Sequence, residues 1–254
     1  MSKRQAYAAI LRWQSEAGAD EAICDAPIDR RGESEAQAPA APARTGVAAA
    51  PQPAKAAAPV IDPASAATIP ELAALLEQFE GCGLKKTATR LCLSDGAAEA
   101  RLMLIGEGPG REEDLQGKPF VGRAGQLLDR MLTAIGHDRD STYITNCVFW
   151  RPPGNRNPTP EETEACRPFL QRQIEIVAPD VIMMLGAVAA KALTGRSEGI
   201  TRLRGRWFDL EAGGRAIPAI ATLHPAYLLR QPGQKKHAWR DFLAAAAKLR
   251  ETAS

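Results

Sequence analysis

No apolar run in these 254 residues approaches the roughly 20 that a membrane helix needs, so no membrane span is expected. The basic start, Met1-Ser2-Lys3-Arg4-Gln5-Ala6, is not followed by an apolar core, and no secretory signal is expected. Cysteine is scarce: five residues, an odd number without paired spacing, suit a reducing, cytoplasmic setting better than a disulfide framework. Histidine is scarcer, with three, and none stands near the acids Glu107, Glu112, Glu113 and Asp114, which disfavours a metal-dependent hydrolase built there. Neither sign of charge dominates. A net charge of +2 does not announce a nucleic-acid partner, so any such binding must come from local clusters. There is no internal repeat and no G-x-G-x-x-G dinucleotide fingerprint.

Composition divides what is present. Between Glu33 and Thr68, 21 of 36 residues are Ala or Pro, which cannot build a core and predict a disordered linker. Ahead of it, Tyr7, Ile10, Leu11 and Trp13 have the spacing of a short amphipathic helix within a tail of residues 1–32, a possible docking segment for a protein partner. From residue 69 to 254 the pattern alternates between strand and helix. Strands are predicted at Leu102–Ile105, Thr142–Thr145, Val181–Leu185 and Ala219–Thr222. Helices are predicted from Pro70 to about Gly81, and over Gln126–Ile135, Pro160–Val177, Ala187–Leu193 and Ala238–Arg250. That order implies one three-layer α/β/α domain with a mainly parallel central sheet of about four strands.

The strand Leu102–Ile105 ends in Gly106-Glu107-Gly108-Pro109-Gly110, then Arg111-Glu112-Glu113-Asp114. Open parallel sheets bind ligands beyond the carboxyl ends of their strands, so these carboxylates belong to a candidate pocket. A second glycine-punctuated loop, Gly117-Lys118-Pro119-Phe120-Val121-Gly122-Arg123-Ala124-Gly125, follows. Tyr143-Ile144-Thr145-Asn146 ends another short strand, and Arg151-Pro152-Pro153-Gly154-Asn155-Arg156 follows it. Leu223-His224-Pro225-Ala226-Tyr227-Leu228-Leu229-Arg230 closes the set.

These five motifs, in this order, resemble the family 4 uracil-DNA glycosylases of the uracil-DNA glycosylase superfamily, over Leu72 to Leu249. The resemblance implies a monofunctional enzyme that hydrolyses the N-glycosidic bond of uracil in DNA, single- or double-stranded, and leaves abasic-site product DNA. It also implies a repair role, at the nucleoid, as a monomer. Such enzymes extrude the base from the helix and read it in a pocket. Phe120 is the natural surface for the base to stack on, and the resemblance gives it that role. Asn146 can donate and accept toward one base edge. By resemblance His224 sets an imidazole against the uracil O2, Glu107 helps hold the base and its loop, and Gly108 stands where the best-known branch carries a water-activating Asp. Glu113 matches a pocket acid that either orients the attacking water or crowds the base's C5. DNA contacts are expected from Pro109, Gly110, Gly122, Tyr227 and Leu228, the last two as apolar wedges. Cations for phosphates are sought among Lys118, Arg123, Arg151, Arg156, Arg202, Arg204, Arg206, Arg230, Lys235 and Lys236.

The family typically binds a 4Fe–4S cluster through four cysteines. The corresponding positions here are Phe79, Cys82, Trp150 and Cys166. Neither aromatic can replace a thiolate, and Cys92 and Cys147 are off the expected spacing. The chain is therefore expected to lack the cluster, with Phe79 and Trp150 packing into its volume. A non-catalytic uracil- or abasic-DNA binder of the same fold is the main rival reading. The covalent uracil-binding branch is disfavoured because the stretch 195–202 has no histidine.

Overall fold

The structure, a computed structural model, describes residues 61–252. The predicted N-terminal helix and the linker up to residue 60 lie outside the described residues. The end of the Ala/Pro-rich segment, residues 61–68, packs on the domain. Ala66 is buried, and its carbonyl accepts a 2.8 Å hydrogen bond from Arg172 Nε.

Strands β1 (Ser94–Gly96), β2 (Leu102–Gly106), β3 (Thr142–Asn146), β4 (Val181–Leu185), β5 (Trp207–Ala212) and β6 (Arg215–Thr222) form one sheet in the order β1-β3-β2-β4-β6-β5. The four central strands are parallel, as the alternating pattern predicts. The expected count of strands was short by two. Both additions are antiparallel edges, β1 on β3 and β5 on β6. Every residue of β2, β3 and β4 is buried, the signature of strands covered on both faces. Strand β5 alternates exposure, as an edge does, and joins β6 through Gly213-Gly214, whose φ values of 56° and 74° a two-residue hairpin turn requires.

Helices α1 (Ile69–Gln78), α2 (Arg111–Gln116), α3 (Arg123–Thr133), α4 (Pro160–Val177), α5 (Ala187–Thr194), α6 (Ile200–Leu203), α7 (Pro225–Arg230) and α8 (Lys235–Glu251) complete the domain. Alternate residues of the strands feed two cores. Met103, Ile105, Ile182 and Met184 pack with Leu72 and Leu76 of α1 and with Phe169 and Ile174 of α4. Leu102, Leu104, Val181 and Met183 pack with Leu128 and Leu132 of α3 and Phe242 of α8. Hence three layers. Helix α4 keeps its predicted bounds: Thr159 Oγ1 accepts from Glu162 N–H, Pro160 opens the first turn, and Ala178 closes it with φ 46°. Helix α3 starts three residues earlier than predicted, at Arg123, because extended Gly122 caps it. No helix among the described residues is long and apolar enough to cross a membrane.

The parallel register matters most for function. Gly106 pairs with Asn146, and Leu185 with Thr222, so four strands end together and release Glu107, Cys147, Gly186 and Leu223-His224 at one edge.

Candidate active site

At that edge lies a cleft of about 500 Å³ whose walls are Glu107–Gly110, Pro152 with residues 155–158, and His224, Ala226, Tyr227 and Arg230. A hollow of similar size, about 510 Å³, lies at the opposite end of the sheet around Arg101 and His137 and holds none of the motif residues.

Gly106, Phe120, Asn146 and His224 form one cluster. The Phe120 and His224 rings are stacked, with centroids 5.5 Å apart and planes 28° apart. A Cβ on Gly106 would stand 2.5 Å from both Asn146 Oδ1 and Phe120 Cζ, so glycine is what lets amide and ring approach this strand end. Asn146 is 1% exposed, and neither Oδ1 nor Nδ2 has a hydrogen-bond partner. A buried amide left unpaired on both sides is costly, and native proteins tolerate one chiefly where function needs it. Phe120, buried, holds φ 54°, a left-handed conformation that a bulky residue seldom adopts.

His224 caps α7, with its Nδ1 accepting from Ala226 N–H at 3.1 Å. That bond assigns the ring proton to Nε2. Burial, and then the nearby Arg230 charge, push the imidazole's pKa down to about 4, so the ring is neutral near pH 7. Gly186, at φ 96°, lies against it; a Cβ there would come 3.0 Å from His224 Cβ. Thr222, two residues ahead, donates through Oγ1 to Asp241 Oδ2 (2.8 Å) of α8, and Asp241 also pairs with Arg204. Burial raises the pKa of Glu107 above the ordinary carboxylate range.

Several expected contributors stand elsewhere. Glu113 is no free carboxylate: Oε2 accepts from Gly110 N–H (3.1 Å), and Oε1 from Val121 N–H (3.0 Å) and Gly122 N–H (2.9 Å). With both oxygens held by backbone donors it braces two loops. Leu228 cannot serve as a wedge, being fully buried against Leu127, Leu223 and Ala238. Lys118 pairs with Asp95 of the edge strand at 3.1 Å, away from the cleft. Arg204 is committed to Asp241. Arg123 is exposed at the start of α3, and Arg151 Nε donates to Asn155 Oδ1 at 2.7 Å behind the cleft wall. Arg156, on that wall, holds Glu162 through both terminal nitrogens. Pro109, Gly110, Tyr227 and Arg230 do meet in the cleft. At Gly108 a Cβ would stand 2.7 Å from Val148 Cγ2, so this backbone packs where a side chain would crowd. Gly106 and Gly186 were not singled out from sequence, although a glycine directly following a buried apolar strand was the signal for each.

The four positions corresponding to cluster ligands come together in the core shared by α1 and α4. Interaction between the Cys82 and Cys166 thiols pulls the pKa of Cys82 down and pushes that of Cys166 up. The Phe79 ring packs on Phe169 with centroids 4.8 Å apart, and Trp150 is buried beside Phe149. Cys92 donates to the Glu113 carbonyl at 3.1 Å, and burial pushes its pKa up to about 12. Burial does the same to Cys147, also to about 12. Among the described residues no group of three or more His, Cys, Asp or Glu side chains could hold a metal ion. Two thiols and two aromatic rings do not fit a group that needs four thiolates.

Residues 93–245 match the family described as the uracil DNA glycosylase superfamily. The chain is 48% identical over 156 residues to a type-4 uracil-DNA glycosylase of Thermotoga maritima, covering 61% of this chain and 80% of that protein. It is 42% identical over 165 residues to one from Archaeoglobus fulgidus, covering 63% and 83%. A third, from Pyrobaculum aerophilum, is 38% identical over 171 residues, covering 66% and 87%.

Proposed function

The chain belongs to the uracil-DNA glycosylase superfamily and acts as a uracil-DNA glycosylase, a DNA-repair hydrolase of N-glycosyl bonds, and from that premise we propose how its residues divide the work. A flipped uracil stacks on Phe120 and offers its polar edge to Asn146, whose Nδ2 donates while Oδ1 accepts. The unpaired buried amide of Asn146, beside Phe120 and His224, is the observation that carries this reading.

As the C1′–N1 bond breaks, its electron pair leaves with the base and positive charge grows on the sugar. His224 donates from Nε2 to the oxygen that becomes negative. Its low pKa supports a neutral donor, so no proton need be exchanged for the ring to act. Water adds hydroxide to C1′, and its proton leaves to solvent or to the departing uracil. Glu107, at the mouth of the cleft, faces the base and the water. Glu113 acts at one remove, by joining the loops that carry Pro109 and Phe120. Arg230 is the phosphate contact best supported by its position on the cleft wall, and Tyr227 is the residue that enters the duplex.

The same premise extends to what surrounds the site. Substrate is uracil-containing DNA, single- or double-stranded, and the abasic product stays bound through the phosphates. The protein works as a monomer in the cytoplasm at the nucleoid, and residues 1–32 are the docking segment for a protein partner. It carries no iron–sulfur cluster; Phe79 and Trp150 join the segments that four cysteines would otherwise tie. Stoichiometric iron and sulfide in anaerobically purified protein would overturn that.

The decisive test is cleavage of a uracil-containing oligonucleotide, read after alkali. His224→Ala should slow single-turnover excision about 10²–10³-fold, with affinity for abasic DNA changed little because phosphate contacts dominate it. Tight binding without excision by the wild-type protein would favour the non-catalytic binder instead.

A further inference from the structure

Phe120 is neither Gly nor Asn, yet its backbone is left-handed, with φ 54°. Its own neighbours explain only why the conformation fits. Gly125 makes room for the Phe120 carbonyl, which a Cβ at that position would meet at 1.6 Å. What grips the loop lies in the turn ahead of β3. Arg139 Nη2 donates to the Phe120 carbonyl, and Nη1 reaches the Pro119 carbonyl at 3.3 Å. The guanidinium is itself anchored twice, Nη1 to Asp95 Oδ2 of β1 and Nε to Asp129 Oδ1 of α3, each at 2.8 Å.

We infer that Arg139 is a positioning residue for uracil excision: by holding the Pro119 and Phe120 carbonyls it keeps Phe120 left-handed and its ring in place beside His224. The inference rests on the reading of Phe120 as the base platform. The chemistry selects arginine. A planar fork can direct bonds at two carbonyls and two carboxylates at once, whereas lysine offers a point charge on a flexible stem. Once released, Phe120 would relax toward ordinary backbone, its Cβ would point elsewhere, and the platform would leave the base.

The experiment is a double-mutant cycle in the full-length protein, with Arg139→Lys, Phe120→Ala and their combination. Single-turnover excision is read at saturating enzyme, alongside affinity for uracil-free DNA and the melting temperature of each variant. Arg139→Lys should slow excision about 10- to 100-fold, as small misplacements of a catalytic constellation do, and leave DNA affinity unchanged. In the Phe120→Ala background the same change should cost less than about twofold, because nothing remains to be positioned. Equal losses in both backgrounds, or an unchanged rate for Arg139→Lys, overturn the inference while leaving the platform reading intact. A Phe120→Ala enzyme of undiminished rate overturns the platform, and the inference with it. Should Arg139→Lys fail to fold, Asp129→Ala at a side chain 43% exposed removes the acceptor of Nε alone and enters the same cycle under the same criteria.

Discussion

Asn146→Leu should yield a protein that is more stable and inactive. Both polar atoms of the amide are buried and unpaired, and each such group costs about 1–3 kcal/mol. Leucine keeps the branched outline and removes both. Its methyls exceed an oxygen in size, and Oδ1 already lies where a Gly106 Cβ would approach to 2.5 Å, so overpacking returns about 1–3 kcal/mol. About 2–6 kcal/mol recovered against about 1–3 kcal/mol returned centres on a gain of about 2 kcal/mol. For a domain of this size that is a rise in Tm of about 4–8 °C. Excision should fall about 10³-fold or more, because the polar uracil edge would face hydrocarbon. Thermal melts followed by circular dichroism, beside single-turnover cleavage, measure both effects on one preparation. A variant that melts well below wild type while still excising uracil would show that the amide serves the fold and would refute the reasoning.

Three further outcomes are expected. Gly106→Ala should abolish most excision yet keep affinity for undamaged DNA, since its methyl strikes Asn146 Oδ1 and Phe120; equal losses of both would mean general unfolding, checked by Tm. Because the folded His224 pKa of about 4 lies below its ordinary 6.5, the neutral ring stabilises the fold fully above about pH 6.5 and that contribution is lost as pH falls toward 4. Excision that depends on His224 should accordingly stay level from neutral pH to about 5, and an NMR titration placing this histidine near 6.5 would contradict the burial argument. No lysine lines the cleft among the described residues, so borohydride should trap no covalent adduct on uracil-containing DNA; a trapped adduct would reveal an amine nucleophile and lyase chemistry.

The parts of this architecture that could be read in advance are those written in short-range pattern. Buried strands β2 and β4 are unbroken apolar runs, and α4 carries its Thr159-to-Glu162 cap in plain sequence. The edges were missed for different reasons. Strand β1 has three residues, too few for a period, whereas β5 was signalled by Gly213-Gly214 and went unread. Within the site, Asn146 and His224 stand at or just after a strand end, where function is expected, and Phe120 sits in a loop that its glycines mark. The bracing contacts of Glu113 were not legible, because its partners are backbone N–H groups, which leave no mark in a sequence. Leu228 looked like a wedge because a six-residue helix behind His-Pro reads as loop until Leu127 and Ala238 are seen to cover it. Arg139 stands 19 residues beyond Phe120, and only the closed fold brings its guanidinium to that carbonyl.

The Glu113 carboxylate ties Gly110 to Val121 and Gly122 through three backbone donors, and this has a consequence for motion. Loops that share one clasp cannot fluctuate as separate flaps. Opening on either side breaks charge-assisted bonds to the one carboxylate that both share. Uracil should thus enter and leave through a single concerted excursion, not through two independent ones. The amide protons of Gly110, Val121 and Gly122 should exchange with solvent at one common opening rate, despite belonging to different loops. Such an enzyme would admit bases through a gate with two leaves and a single hinge pin.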